Sequence, residues 1–178
     1  MHRTTAELDS LLEGILAAPE DGGPVEMIVR RPAENQREMI DTGELTNTEG
    51  LVGDDWKNRV DGDEEPFRES QLTLMNARVA DAVAVSRDRW PLAGDQIYVD
   101  MDISKENLPV GTRLGVGDAV IEISEQPHTG CAKFSGRFGK EALRWANVGE
   151  GRDRRFRGVY AFVVVNGSFR VGDKVTKL

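Results

Sequence analysis

The chain has 178 residues, enough for one sizeable core and too few for two domains of ordinary size. Its formal net charge of -8 argues against nucleic acid or an anionic membrane as a partner, because both are bound mainly through lysine and arginine. No apolar run approaches the ~20 residues needed to cross a bilayer, so a globular protein without a membrane span is expected.

The N-terminal segment has the pattern of an amphipathic helix. Leucine and isoleucine recur at helical spacing over residues 8–16, and the capping-box pair Thr4 and Glu7 comes directly before them in the sequence. We predict a helical appendage and linker over residues 1–24 and a main body over residues 25–178. Because the segment lacks the apolar stretch and cleavage site of a secretory signal, cytoplasmic residence is the default expectation.

The main body is predicted to be mainly β. Short runs with strand periodicity alternate with turn residues, at 25–29, 71–75, 96–99, 119–123 and 159–165. A Gly-Asp pair recurs and predicts a tight turn each time, beginning at Gly53, Gly94, Gly117 and Gly172. Two segments have helical spacing instead, 77–85 after the predicted N-cap Asn76 and 140–147, and we expect them to pack outside the β-structure.

The single cysteine, Cys131, follows the predicted strand 119–123 and a proline-glycine break, which indicates a loop. A helix beginning near the thiol, together with Lys133 and Arg137, would favour the thiolate, the form that acts as nucleophile and metal ligand. From the cysteine alone, a small buried side chain without a role is about as common. We predict an exposed and functionally important thiol.

His128 lies three residues before Cys131. The pair could be half of a zinc site, but the other histidine, His2, is in a predicted tail, so carboxylates would have to complete it. A histidine that takes the thiol proton or binds an anion is better supported. We predict Cys131 and His128 as the catalytic pair.

Four arginines are concentrated between two glycines, at Arg152, Arg154, Arg155 and Arg157. Guanidinium groups can grip a phosphate bidentately, although a solvated loop that balances an acidic protein is the more common role of such a run. If the loop folds beside Cys131, the two features would suit a ligand with a phosphate at one end and a thiol-reactive centre at the other.

Other motifs carry less weight. Asp100 and Asp102 lie on one face of a predicted strand, which an exposed face explains without catalysis. The acidic run over residues 54–65 lacks the ligand spacing of an EF-hand. The sequence contains no glycine-rich phosphate loop, dinucleotide fingerprint or nucleophile-elbow serine.

The order of short motifs resembles the MOSC family, which is named after the C-terminal domain of molybdenum-cofactor sulfurases. The motifs are a Gly-Leu-x-Gly-Asp turn at 50–54, a Thr-Leu strand at 73–74, an Asn-Leu element at 107–108, a Gly-x-Gly-Asp turn at 115–118, Cys131, and the terminal segments 157–161 and 167–175. They cover nearly the whole chain from about residue 25. The chain is identified as a stand-alone, bacterial-type member.

The resemblance implies a mainly β protein: a closed, bent β-barrel of the MOSC or pyruvate-kinase-barrel-like type with a few short helices. It also implies that Cys131 carries persulfide sulfur or ligates the molybdenum of a pterin cofactor. Hydroxyl and basic side chains hold the pterin phosphate in such relatives, and the candidates here are Thr129, Lys133, Arg137, Arg154, Arg155 and Arg157.

Three functions stay open. The chain could bind a molybdenum-pterin cofactor and reduce N-hydroxylated compounds with electrons from a partner reductase, since it lacks the additional domains of larger relatives. It could instead carry a persulfide on Cys131, received from a cysteine desulfurase. The third is a non-catalytic binding domain. The sequence does not decide whether the protein is an enzyme.

Overall fold

Seven strands close into a barrel in the computed structural model, which describes residues 2–59 and 66–178, so that the acidic positions 61–65 lie outside the described residues. In pairing order the strands are β11 (Lys174–Lys177), β7 (Arg113–Val116), β8 (Ala119–Ile123), β9 (Val159–Val165), β5 (Leu72–Asn76), β6 (Ile97–Val99) and β1 (Gly23–Arg30). The ring is closed because β1 pairs back onto β11, with Gly23 opposite Val175. The β5–β6 pairing is parallel and the others in the ring are antiparallel. The predicted closed barrel is confirmed.

Shorter strands extend this framework. Strand β2 (Glu38–Ile40) pairs with β1, and a second sheet has the order β10 (Gly167–Arg170), β3 (Thr42–Thr46) and β4 (Gly50–Leu51). The barrel interior is filled by apolar side chains that alternate along the strands, such as Leu72, Leu74 and Ile121, none of which has any exposed surface.

Six short α-helices lie outside the barrel in the described residues: α1 (Thr5–Asp9), α2 (Leu12–Leu16), α3 (Ala77–Ala84), α4 (Ala132–Phe138), α5 (Lys140–Asn147) and α6 (Glu150–Asp153). Three 3-10 helices accompany them, at Trp56–Asn58, Arg68–Ser70 and Arg87–Ala93. A second apolar cluster, which includes Phe134 and Trp90, packs these helices onto the strands. The predicted cap of α3 is confirmed, because the Asn76 side chain accepts from the backbone N–H groups of Arg78 and Val79. Within the described segments, no helix is both long and apolar enough to cross a membrane.

The N-terminal helix is shorter than the pattern predicts. It consists of two separate pieces, because the Ser10 hydroxyl donates to the Glu7 carbonyl at 2.7 Å and the chain turns there. Leu8 is wholly buried in the outer cluster, and Trp145 Nε1 donates to Asp9 Oδ1 at 2.9 Å. The segment is therefore docked on the rest of the protein. The boundary near residue 24 stays a prediction, although β1 already begins at Gly23.

Three of the four predicted Gly-Asp pairs lie in turns, and the fourth, at Gly94, ends the 3-10 helix Arg87–Ala93 as its left-handed C-cap. Their glycines have φ values of 83, 92, 58 and 93° at Gly53, Gly94, Gly117 and Gly172, in the region that favours glycine. Two of these pairs place an aspartate inside the protein, since Asp54 is 3% exposed and Asp95 is not exposed at all. Both buried carboxylates lie beside the cleft described next.

Candidate functional site

A cleft of about 510 Å³, hereafter the Cys131 cleft, contains most of the predicted site. Six of the eight predicted residues line it, namely Cys131, His128, Thr129, Lys133, Arg137 and Arg157. Segments distant in sequence complete its walls, with Arg31, Arg37, Arg59 and Tyr160 among the lining residues. The fold thus brings the predicted thiol and basic side chains together.

The arginine loop reaches this cleft only in part. Among the described lining residues, Arg157 is its one contribution. Arg155 donates from Nη1 to the Leu108 carbonyl at 2.6 Å and, with Arg152, lines a neighbouring groove. Arg154 lies 3.7 Å from Glu150 and lines neither cavity. Arg154 and Arg155 are therefore apart from Cys131.

Cys131 is a free, exposed thiol at the N-cap position of α4. Partial burial raises the pKa of this thiol, but the backbone N–H groups of Phe134 and Lys133 and the charge of Arg157 lower the pKa by more. The net effect is a pKa below that of an ordinary thiol. The thiolate, which is the reactive form, is therefore favoured.

Most of the basic side chains in the cleft already have carboxylate partners. The ion pairs are Arg31–Asp54, Arg59–Asp55, Lys133–Glu34 and Arg157–Asp95. The Arg31 pair is bidentate, with Nε and Nη2 at 2.8 and 2.7 Å from the two carboxylate oxygens, and Arg31 Nη1 also donates to the Gly94 carbonyl at 2.9 Å. These pairs build the wall and leave little spare charge for a ligand.

Arg37 and Arg137 differ from the other basic residues. Neither forms an ion pair with any carboxylate in residues 2–59 or 66–178. Consecutive carbonyls hold them, since Arg37 Nε donates to Pro91 at 3.2 Å and Arg137 Nη1 donates to Leu92 at 2.7 Å. Burial, and then the charges of Arg137, Arg31 and Arg59, lower the pKa of Arg37. A bound anion would relieve this repulsion.

A buried polar group lies in the wall of the same cleft. Arg157 Nη1 donates to Asp95 Oδ2 at 2.7 Å, and Arg157 Nη2 donates to the Ala93 carbonyl at 3.0 Å. His128 Nδ1 lies 3.6 Å from Asp95 Oδ1, and its ring packs on Tyr160 with centroids 4.3 Å apart. Burial, and then the charges of Arg157 and Arg31, lower the pKa of His128 well below 6.5. His128 is therefore neutral at pH 7.

No further zinc ligands are found beside Cys131 and His128 in the described residues. The described part of the chain has no cluster of three or more His, Cys, Asp or Glu side chains placed to hold a metal ion. Any metal bound at Cys131 would therefore have to bring most of its ligands with it, as a cofactor-borne metal does.

Comparison with known families explains the arrangement. A family model described as MOSC domain matches residues 54–176. The chain belongs to the MOSC domain family. The matched range starts after β1, yet β1 pairs with both β6 and β11, so the barrel of this MOSC domain needs a strand from outside that range. No curated protein matches the chain.

Solved structures show the same fold. The YUAD protein from Bacillus subtilis is 15% identical, with a TM-score of 0.58 over 86% of this chain and 93% of that chain. YiiM from Escherichia coli is 18% identical, with a TM-score of 0.57 over 87% of this chain and 69% of that chain. YiiM from Geobacillus stearothermophilus is 12% identical, with a TM-score of 0.53 over 89% and 73%. The shared fold is a barrel with peripheral helices.

The cleft of this MOSC domain fits a ligand that is anionic and binds a thiolate. The fit rests on one accessible thiol, on Arg37 and Arg137, which have no carboxylate partner among the described residues, and on the buried Arg157 Nε, which has no hydrogen-bond partner there. The sequence did not indicate Arg37, Asp54 or Asp95 as site residues. The Gly-Asp pairs were a usable signal for both aspartates, whereas no local pattern distinguishes Arg37.

Proposed function

We propose that this MOSC domain binds a molybdenum-pterin cofactor in the Cys131 cleft, with the Cys131 thiolate as a ligand of the metal. The observation that carries the proposal is the placement of an exposed thiol of lowered pKa in one cleft with Arg37 and Arg137. A pterin cofactor with a terminal phosphate presents both a soft metal and an anion, which matches a thiolate and guanidinium groups.

Each side chain then has a distinct part. Arg37 and Arg137 hold the phosphate, because among the arginines that line the cleft they are the two whose charge no described carboxylate offsets. Lys133 is 61% exposed and its partner Glu34 is 75% exposed, so this solvent-accessible pair can exchange partners, and the Thr129 hydroxyl is a further donor. Arg157 favours the Cys131 thiolate through its charge. Arg154 and Arg155 are left out of this ligand set, since they lie outside the cleft.

The reaction that we propose is the reduction of N-hydroxylated compounds. When bound, the cofactor supplies two-electron oxygen-atom transfer chemistry. The balanced reaction consumes two electrons and two protons and releases an amine and water. A separate reductase protein is the proposed electron source, and the contribution of this chain is to hold the cofactor and the substrate.

The test is the molybdenum content of protein produced in a host that makes the pterin cofactor. Wild type should carry close to one molybdenum per chain, Cys131→Ala should lose the metal, and the double variant Arg37→Gln/Arg137→Gln should lose cofactor. Arg154→Gln is the matched control, since it removes an arginine from outside the cleft and should retain wild-type content. Metal-free wild type from such a host contradicts the proposal.

The second candidate is a sulfur carrier, favoured by the accessible thiol and its lowered pKa. In this reaction the Cys131 thiolate attacks the terminal sulfur of a persulfide on a cysteine desulfurase. A sulfur–sulfur bond forms on Cys131, and the desulfurase thiolate leaves. Incubation with desulfurase and cysteine should add one sulfur atom to wild type and none to Cys131→Ala, as read by intact mass. A chain that takes up neither molybdenum nor sulfur would be a non-catalytic binding domain.

A further inference from the structure

We infer that Asp95 is a positioning residue, which holds His128 in the tautomer with its proton on Nδ1 and thereby presents Nε2 as a hydrogen-bond acceptor at the wall of the Cys131 cleft. The inference concerns the chain itself and does not depend on which ligand the cleft binds. It also defines a property of that ligand, namely an N–H or O–H donor close to its anionic part.

The first observation is that two buried polar atoms face each other without other partners. His128 Nδ1 and Asp95 Oδ1 are 3.6 Å apart, and their side chains are 6% and 0% exposed. Neither atom has a hydrogen-bond partner in the described chain. A buried polar atom left unpaired is unfavourable by about 1–3 kcal/mol, so a hydrogen bond between these two atoms is the arrangement that their burial favours.

The second observation fixes which atom donates. Burial raises the pKa of the Asp95 carboxyl, but Asp95 Oδ2 accepts from Arg157 Nη1 at 2.7 Å, and this hydrogen bond and the guanidinium charge favour the ionised form. An ionised carboxylate has no proton to donate, and Nδ1 must therefore carry the proton in their contact. In a neutral imidazole the proton is on one nitrogen only, so Nε2 is left as an acceptor.

The third observation concerns the other edge of the ring. Nδ1 is fully buried, whereas Nε2 is not one of the fully buried, unpartnered atoms of the described chain, and the side chain keeps 6% exposure where it lines both the Cys131 cleft and the neighbouring groove. Packing against Tyr160, with an interplanar angle of 40°, restrains the ring plane. Backbone covers the Asp95 side, because a Cβ on Gly158 would lie 3.0 Å from His128 Nδ1 and 3.2 Å from Asp95 Oδ1.

The chemical consequence follows from what surrounds His128. The arginine and lysine side chains that line the cleft can only donate hydrogen bonds. The Glu34 and Asp55 carboxylates also line the cleft, but they are paired with Lys133 and Arg59. A neutral acceptor at Nε2 therefore favours a ligand that combines anionic groups with a donor over one of the same charge that lacks a donor. Asp95 makes this selection by directing the proton to the buried nitrogen.

The experiment is the tautomeric state of His128 by NMR of the 15N-histidine-labelled protein at about pH 7.5. The chain has two histidines, so the His2→Asn background leaves His128 as the only signal. We expect a pyrrole-type shift at Nδ1 and a pyridine-type shift at Nε2, with an excess of this tautomer of about tenfold or more. A wild-type ring with its proton on Nε2, or with protons on both nitrogens, overturns the inference without any variant.

Asp95→Asn then tests the part played by Asp95. Arg157 needs an acceptor, so the amide oxygen of the variant would turn towards Arg157 and its NH2 towards His128 Nδ1, which should move the proton to Nε2. Asp54→Asn is the matched control, since it neutralises the other buried, arginine-paired aspartate and should leave the His128 tautomer unchanged. An unchanged tautomer in folded Asp95→Asn would contradict the inference. Loss of molybdenum binding would not, because the tautomer is read without metal.

Discussion

Arg157 Nη1 lies 2.7 Å from Asp95 Oδ2, and the two side chains are only 8% and 0% exposed. The same guanidinium group stands over the Phe134 ring at 5.0 Å and lowers the pKa of Cys131. One buried ion pair therefore supports the helix that carries the thiol, the charge state of the thiol, and the residue that faces His128.

Removal of Arg157 should accordingly destabilise the protein. In Arg157→Met the Asp95 carboxylate stays buried without its counter-charge, and breaking such a pair costs about 3–5 kcal/mol. The measurement is the free energy of unfolding in urea near pH 7. Arg154→Met is the control, because its pair with Glu150 is half-exposed and long, and it should change stability by less than about 1 kcal/mol. Equal losses in the two variants would show that the buried pair has no special weight.

The reactivity of Cys131 should depend on folding. Its lowered pKa means a larger thiolate fraction at neutral pH, so alkylation by iodoacetamide should reach half its maximal rate at a lower pH than for an ordinary thiol. The same chain in concentrated urea is the control, because the backbone N–H groups and Arg157 no longer surround the thiol there. Identical pH profiles in the folded and unfolded protein would contradict the lowered pKa.

Stability should fall in mild acid because of His128. Its folded pKa lies well below its ordinary value of 6.5, so below pH 6.5 the unfolded chain binds a proton that the folded chain does not. The stabilisation is complete above pH 6.5 and is lost as the pH falls towards the folded pKa, with a slope of up to about 1.4 kcal/mol per pH unit. In His128→Asn this slope should be absent, whereas His2→Asn, at an exposed position, should keep it. Urea unfolding between about pH 7.5 and 5.5 measures the difference.

The elements whose signals are local are those that the sequence predicts best. Helix α5 has the predicted bounds, Lys140–Asn147. Both signals that define it are local, namely the apolar spacing along the segment and Gly139 directly before it. Strands β8 and β9 likewise match the predicted 119–123 and 159–165. The N-terminal helix differs because a side-chain hydrogen bond of Ser10 competes with the helical pattern, which spacing alone does not reveal.

The site divides along the same line. Cys131, His128 and Arg137 come from one continuous segment, and the sequence placed them together. Arg37 reaches the same cleft from the segment after β1, and Asp95 is buried behind its wall, next to Gly94; their partners lie 54 and 62 residues away in sequence. Arg155 illustrates the opposite failure: its φ is 53°, and it lines only the neighbouring groove, whereas Arg157, two residues later, lines both the groove and the Cys131 cleft. The residue types in the arginine loop predicted a bound anion, but the backbone conformation of the loop determines which cavity each arginine lines.

The backbone at Gly158 should be the least tolerant point of the site. Its φ is +110°, and a Cβ there would lie 2.5 Å from the Leu74 carbonyl oxygen, an atom of strand β5 that has little freedom to move. Gly172 is the matched control, because it has a φ of +93° with nothing within 4 Å of an added Cβ. Gly172→Ala should cost about 1–2 kcal/mol for the backbone conformation alone, and Gly158→Ala about 1–3 kcal/mol more for the steric clash. Urea unfolding measures the free energy of unfolding of the two variants. Similar losses of stability would mean that strand β5 moves to accommodate the new Cβ, and that the backbone around His128 and Asp95 is less tightly packed than these contacts indicate.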